Sequence, residues 1–493
     1  MLIIFEMSNN HNGSLDHAKL IVDELKNNIY KYKQDFDFAV KLQFRDLDTF
    51  IHPDFKGSDI KHIKRFEETR LTDEEFKELC KYIKSSGFKL IVTPFDENSV
   101  EKCIKNDVDY IKVASCSALD WPLLDEITKF NKPVIVSTGG LEITDIDKIT
   151  HFFSHKNVEL SLLHCVALYP TPNINQNLNF IDKLKRRYPN ITIGYSGHEE
   201  PVNFLPSIVA LSKGSEIIER HVGFKTENIK LNKYSIDAKN IKNFIEQLKA
   251  VKEVKGNDYK DVTIDEIKSL RSLQRGVYAK QPINNNTILD DKMVYYAMPC
   301  QSDQLTSGEL GQYRSKYKTT KYYMKDEHIY EFNTADSQID KVRYFVHKAK
   351  GMLNEAGVNI GEEYEIELSH HYGLEDFAET GAVLINLINR EYCKKIIIMF
   401  RGQMHPEHMH KTKEETFQIL YGDLILNVNN KTYELKAGDL FLVERFQPHS
   451  FTTDNGVIFE EVSTTSIKGD SFYTDTTIYN KDPMERKTQV IKI

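Results

Sequence analysis

The chain has 493 residues, of which 40% are hydrophobic and 28% charged, with a net charge of −8. This length suits two to four domains with sizeable cores, and the balance excludes a disordered chain and gives no reason to expect nucleic acid. No apolar run approaches the roughly 18 residues of a membrane span. Met1 leads straight into a strand-like segment with no basic leader. The six cysteines are scattered, without a CxxC pair, so reduced thiols and a cytoplasmic setting are expected.

Eight short apolar runs follow, at residues 2–8, 38–43, 90–95, 110–115, 133–138, 158–165, 191–196 and 216–222. Helix-like stretches separate them. One begins after the Asn12-Gly13-Ser14 turn, and another at Thr72, with Glu75 in capping-box spacing. The alternation predicts eight parallel strands closed into a (β/α)8 TIM barrel over residues 1–255, with its chemistry at the C-terminal rim. Residues 46–70 exceed an ordinary βα loop and form a rim insertion, either a lid or a structural piece. A charged linker precedes a small module at 268–333, and a helical connector is expected at 334–362. From 363 to 480 the texture changes to short strands with turn signals, which predicts an antiparallel barrel or jelly roll. The fold class is therefore α/β followed by an all-β domain.

Polar residues cluster where the barrel runs end. Glu6, Lys41, Gln43, Thr93, Lys112, Ser115, Ser137, Ser196, His198 and His221 all fall at or just past those ends. His198 follows the seventh strand and His221 closes the eighth, so the two are neighbours around the rim. Two imidazoles with open positions suit a divalent ion such as Mn²⁺ or Mg²⁺. Either histidine alone is more often structural; the shared placement makes them candidate ligands. Lys41 and Lys112, with the hydroxyls of Thr93, Ser115, Ser137 and Ser196, describe a pocket for a small phosphorylated anion. A single strand-end hydroxyl would merely cap backbone.

In the C-terminal region, His408 and His410 stand two apart on a predicted strand and so share a face. Glu415 returns on the next strand and His449 comes from a later one. The stretch from Gly402 to Gly422, and Gly438-Asp439 with Pro448-His449, resemble the two motifs of a cupin. Three imidazoles and a carboxylate would hold Fe²⁺, Mn²⁺, Ni²⁺ or Zn²⁺; the alternative is a cupin with a vestigial site. His370, His371 and His405 are expected at the surface.

The barrel motifs occur in an order similar to that of the sialic acid (N-acetylneuraminate) synthase family. They are Glu6 with Asn10-His11-Asn12-Gly13, Lys41-Leu42-Gln43, Thr93-Pro94-Phe95-Asp96, Lys112-Val113-Ala114-Ser115, Ser137-Thr138-Gly139, His164-Cys165 with Tyr169-Pro170, Gly194-Tyr195-Ser196-Gly197-His198 and Glu219-Arg220-His221. The 268–333 module resembles that family's antifreeze-like (SAF) module, which implies a homodimer with the module swapped onto the partner's site. The resemblance implies a synthase. Phosphoenolpyruvate would condense with an aldose such as an acylated amino-hexose, giving a 3-deoxy-2-ulosonic acid and phosphate. It places phosphoenolpyruvate on Lys41, Thr93, Lys112, Ser115, Ser137 and Ser196, the sugar on Gln43 and Tyr169, the metal on His198 and His221, and Glu6 beside water or a proton. Several positions depart from the family. Gly197 stands where Asp is frequent, and Arg220 where Lys is common. Cys116-Ser117 replace Gly-Glu, Ala167 replaces Asn, and Met298-Pro299-Cys300 replace Arg-Pro-Gly. The phosphoenolpyruvate half is kept and the sugar half is not, which predicts an acceptor other than plain N-acetylmannosamine. The rivals are a barrel aldolase or lyase that does not use phosphoenolpyruvate, and a degenerate sugar-binding protein. The cupin would bind or isomerise a sugar.

Overall fold

Eight strands run parallel and in chain order around a closed ring. They are β1 (Leu2–Glu6), β2 (Asp37–Phe44), β3 (Lys89–Pro94), β4 (Tyr110–Val113), β5 (Val134–Ser137), β6 (Leu160–Cys165), β7 (Thr192–Gly197) and β8 (Ile217–Gly223). β8 pairs back onto β1, with Glu6 opposite His221, and this closes the barrel. The computed structural model describes residues 1–257, 260–311, 316–335 and 338–490. It divides into two units, Met1–Lys260 and Asp261–Ile493. Each predicted apolar run is a strand, with ends shifted by a few residues.

The barrel interior is plugged by Leu2, Ile4, Ala39, Ile91, Ile135, Leu163 and Ile217. Strand alternation then places the residue two further along on the same inner face. Above Ile4 comes Glu6, above Ala39 Lys41, above Ile91 Thr93, above Ile135 Ser137, and above Ile217 Glu219 and then His221. An apolar floor thus carries a polar mouth at the C-terminal ends of the strands. The outer face of each strand packs on the helix layer in one large core that includes Phe5, Val40, Val92, Val136, Leu162 and Ile218. Helix Asp73–Ser85 starts on the predicted capping box, with both the Thr72 and Glu75 bonds present. The rim insertion contains helices Leu47–Phe50 and Lys61–Glu68 around a short 3-10 turn.

The second unit begins with helix Ile264–Leu273 and two small antiparallel sheets. Gly276–Ala279 pairs with Val294–Ala297, and Lys316–Thr319 with Phe332–Ala335. They share a core of Val277, Leu289, Val294, Leu305, Tyr323 and Ile329, among others. The segment expected to be a connector carries helix Gln338–Ala356. Its Phe345, Val346, Ala349 and Leu353 bury themselves against Ile366, Leu368, Ile385 and Ile398 of the sheet that follows. The helix is part of that domain's core, not a bare tether. Eleven antiparallel strands then curl from Glu365–Ser369 to Lys487–Val490. The longest, Glu415–Val428, pairs with four others. It bends past Gly422, which has φ +77° and where a Cβ would lie 1.9 Å from the Gly456 carbonyl, so only glycine fits. Among the described residues, no helix is long and apolar enough to cross a membrane.

Candidate active site and metal centre

The barrel mouth is organised around a carboxylate. Glu219 Oε1 accepts from Ser196 Oγ at 2.9 Å and from Lys41 Nζ at 3.1 Å, and Lys112 Nζ stands 4.0 Å away. Lys41 also reaches Glu6 Oε2 at 2.7 Å, and Gln43 Nε2 donates to Glu6 Oε1 at 3.1 Å. Lys112 donates to Ser137 Oγ at 2.7 Å and to the Val113 carbonyl at 3.1 Å. All these groups but Gln43 are buried. Burial opposes the charge on Glu219, but Lys112 and Lys41 outweigh it and hold the carboxyl well below its ordinary range. Burial pushes the Lys41 ammonium down to about 8, against the pull of Glu219. Thr93 Oγ1 and Glu219 Oε2 are buried without a hydrogen-bond partner among the described residues. Ser115 follows β4 and accepts from the Gly139 N–H at 2.9 Å, with Cys165 Sγ at 3.7 Å.

The two rim histidines meet at this mouth, with ring centroids 5.2 Å apart. His198 Nδ1 lies 3.2 Å from the Val166 carbonyl. A carbonyl only accepts, so Nδ1 carries the proton and Nε2 keeps its lone pair, the arrangement typical of a metal-binding imidazole. Burial drives His198 down to about 4 and holds His221 well below its usual value, which favours the neutral form a ligand must have. His221 Nδ1 is buried without a hydrogen-bond partner among the described residues. Tyr169 packs at a tilt against His198, with ring centroids 4.3 Å apart, and Tyr234 stands edge-on to His221 at 5.0 Å. This donor set fits a divalent ion.

In the second unit, His408 pairs in register with His449, and their rings lie 4.2 Å apart. His410 and Glu415 complete a buried set whose ligand atoms all lie within 4.8 Å of one another. His410 Nε2 is 3.4 Å from Glu415 Oε1, and His449 Nε2 is 3.2 Å from Oε2. Each Nδ1 is tied to a backbone carbonyl: His408 to Pro406 at 3.1 Å, His410 to Asp470 at 2.7 Å and His449 to Gln447 at 3.0 Å. All three Nε2 lone pairs therefore face the centre. Among the described residues, the Nε2 atoms of His410 and His449 and Oε2 of Glu415 have no hydrogen-bond partner. That is what a cation site requires. Lys413 reaches both Glu415 and Glu461, and those two carboxylates raise its pKa despite burial.

Residues 33–260 match the NeuB family and residues 396–459 match the cupin domain. A crystal structure from Chromobacterium violaceum, of a protein assigned to spore coat polysaccharide biosynthesis, is 39% identical; it covers 67% of this chain and 99% of its own, with a TM-score of 0.64. An uncharacterized protein of Methanocaldococcus jannaschii is 30% identical over 60% of this chain and 84% of its own length.

The chain belongs to the NeuB family.

Another relative of this NeuB-family chain is the N,N'-diacetyllegionaminic acid synthase of Campylobacter jejuni, 25% identical over 67% of this chain and 99% of that one. The family assignment covers the barrel, and the cupin is joined to it in one chain.

All ten sequence-selected positions of the NeuB-family barrel, and Tyr169, lie at this mouth or on the loops around it. Glu219 carries the cluster yet stands in the sequence only as part of a motif. Its signal is its place two residues before His221 on β8, which puts both on the inner face. Arg220, between them, faces outward and forms a fully buried ion pair with Glu199 at 2.6 Å. Glu199 also accepts from Tyr195 and Ser207, so this pair anchors the chain just beyond His198. In the cupin, three expectations need correction. His370, His371 and His405 are buried, not at the surface. His371 and His405 sit ring to ring at 4.4 Å, with His405 stacked on Phe451. Curling of the sheet turns a strand end that reads as exposed into cavity wall.

Proposed function

We propose that the barrel condenses phosphoenolpyruvate with the aldehyde of an acylated amino-hexose and releases phosphate, forming a 3-deoxy-2-ulosonic acid. The observation that carries this reading is the buried Lys41–Glu219–Ser196 cluster, with Lys112–Ser137, beside two neutral imidazoles at one mouth. C3 of phosphoenolpyruvate attacks the aldehyde carbon, water adds at C2, and the C–O bond to phosphate breaks while the aldehyde oxygen takes a proton. Lys41 and Lys112, with the hydroxyls of Thr93, Ser115, Ser137 and Ser196, hold carboxylate and phosphate. Their positions are fixed before substrate arrives, so little reorganisation is needed as charge moves. Glu6, gripped by Lys41 and Gln43, positions the water and its proton. Gln43 and Tyr169 flank the sugar. A divalent ion, Mn²⁺ or Mg²⁺, held by His198 and His221 would supply Lewis acidity toward the aldehyde oxygen. The substitutions at 116–117, 167 and 298 support an acceptor other than N-acetylmannosamine. The homodimer implied by the module at 268–333 belongs to the same reading, and sedimentation tests it.

In the cupin, we infer that His408, His410, Glu415 and His449 hold one divalent ion, Fe²⁺, Mn²⁺, Ni²⁺ or Zn²⁺. The three carbonyl-anchored imidazoles support this.

Phosphate release from phosphoenolpyruvate with a panel of amino-hexoses and 6-deoxyhexoses tests the synthase. Release with at least one acceptor is expected. No release with any would overturn it, and best turnover on N-acetylmannosamine would remove the altered-acceptor claim.

A further inference from the structure

The cupin cavity holds a cation that its carboxylates do not neutralise. The cavity has a volume of 390 Å³, in the range of small-molecule sites, and its walls include the four candidate ligands together with Lys395, Lys413, Arg486 and Lys487. Lys468, also in the wall, is exposed to solvent, and the other three lysines have partners. Lys413 is held by Glu415 and Glu461, Lys395 lies 3.5 Å from Glu461, and Lys487 lies 2.7 Å from Glu367. Arg486 is different. It sits in the turn before the last strand and is only 8% exposed. Among the described residues no carboxylate pairs with it, no side-chain hydrogen bond is made by its guanidinium, and its Nε is buried without a partner. Its one contact of note is the face of Tyr473, 4.9 Å from the guanidinium carbon to the ring centroid. After burial, it is also the strongest influence holding His371 down to about 3.

Leaving a buried guanidinium unpaired is costly, and its planar fork suits a carboxylate or phosphate. Position narrows the ligand. Tyr473 stacks on His408 at 5.3 Å while Arg486 lies over the same tyrosine, so the guanidinium stands one aromatic ring away from the histidine cluster. All three line the same cavity, so one ligand can touch both the guanidinium and the cluster. Asn386, Asn389, Gln489 and Ser471 add neutral polar groups of the kind that read hydroxyls. We propose that the cupin cavity binds an anionic sugar, with its carboxylate or phosphate on Arg486 and its hydroxyl or carbonyl oxygens toward the His408–His410–Glu415–His449 cluster. This does not depend on which reaction the barrel performs.

Calorimetric titration of the full chain, loaded with Mn²⁺, tests it. The probes are D-glucuronate, D-glucose 6-phosphate and D-glucose, which differ at C6, and N-acetylneuraminate beside its methyl ester. At least one anionic probe is expected to bind ten-fold or more tighter than its neutral counterpart. The acid and phosphate arms distinguish the two sources of charge. Arg486→Gln is expected to abolish the preference and Arg486→Lys to restore part of it. Lys112→Ala, in the barrel, leaves it unchanged. Equal binding of charged and neutral probes, no binding of any probe, or loss of the preference only in Lys112→Ala would each overturn the proposal. If an Arg486 variant fails to fold, the anionic preference of Lys112→Ala, whose barrel anion site is lost, still decides between the cupin and the barrel.

Discussion

Ser196 Oγ donates to Glu219 Oε1 at 2.9 Å, across the β7–β8 ladder that pairs the two residues in register. The same oxygen receives Lys41, so one carboxylate fixes the hydroxyl and the ammonium that the proposed reaction needs. Glu219→Gln keeps the shape and removes the charge. Steady-state phosphate release should show kcat/KM lowered by about 10²-fold, the scale set by loss of one well-placed electrostatic partner. Full activity in that variant would mean the cluster plays no part in turnover.

The Arg220–Glu199 pair is wholly buried, with no water to take over if one partner is lost. Arg220→Met alone should destabilise the barrel by about 3–5 kcal/mol, because a carboxylate is left unpaired in the interior. Adding Glu199→Leu should recover much of that loss. A double-mutant cycle by urea denaturation measures the coupling, and simple additivity would show that the pair is not coupled.

The ring of His11 is buried in the barrel, and its Nδ1 accepts from the Gly13 N–H at 3.2 Å. Burial, then Arg65, push its pKa down to about 4. The unfolded chain takes up this proton near the ordinary value of about 6.5, whereas the folded chain does so only near 4. Acid therefore favours unfolding across that window. Stability is complete above pH 6.5 and falls as pH drops toward 4, by about 2 kcal/mol between pH 7 and 5 for this residue. The chain has one tryptophan, Trp121, which opens a barrel helix, so its fluorescence follows that unit. His11→Gln should flatten the pH dependence by that amount. An unchanged slope would show that His11 titrates normally.

In the cupin, His408→Ala removes one imidazole of a set of four with its outer nitrogens anchored. Elemental analysis of the full chain should show the bound divalent metal reduced by about one ion per chain. Phosphate release by the barrel should remain. Equal metal content in both proteins would rule out the cupin centre.

The barrel was legible because its strands are short apolar runs at regular intervals, and because in a parallel barrel the strand ends must converge. The same rule marked Glu6, Lys41, Lys112, Ser137, Ser196 and His221 without coordinates. Alternation also paired His408 with His410. Local spacing determined these features, since a strand's period of two is a property of the backbone alone.

Other features were decided only by closure of the chain in three dimensions. Glu219 becomes the hub because β8 meets β1 and β7, which brings Lys41 and Ser196 to one oxygen from positions more than a hundred residues apart and from the neighbouring strand. His371 and His405 are buried because the sheet curls over them. Arg486 matters because, among the described residues, no carboxylate pairs with it, and the partners a side chain lacks cannot be read from its neighbours in sequence. Charge pairing and burial depend on distance through space, and folding alone sets that distance.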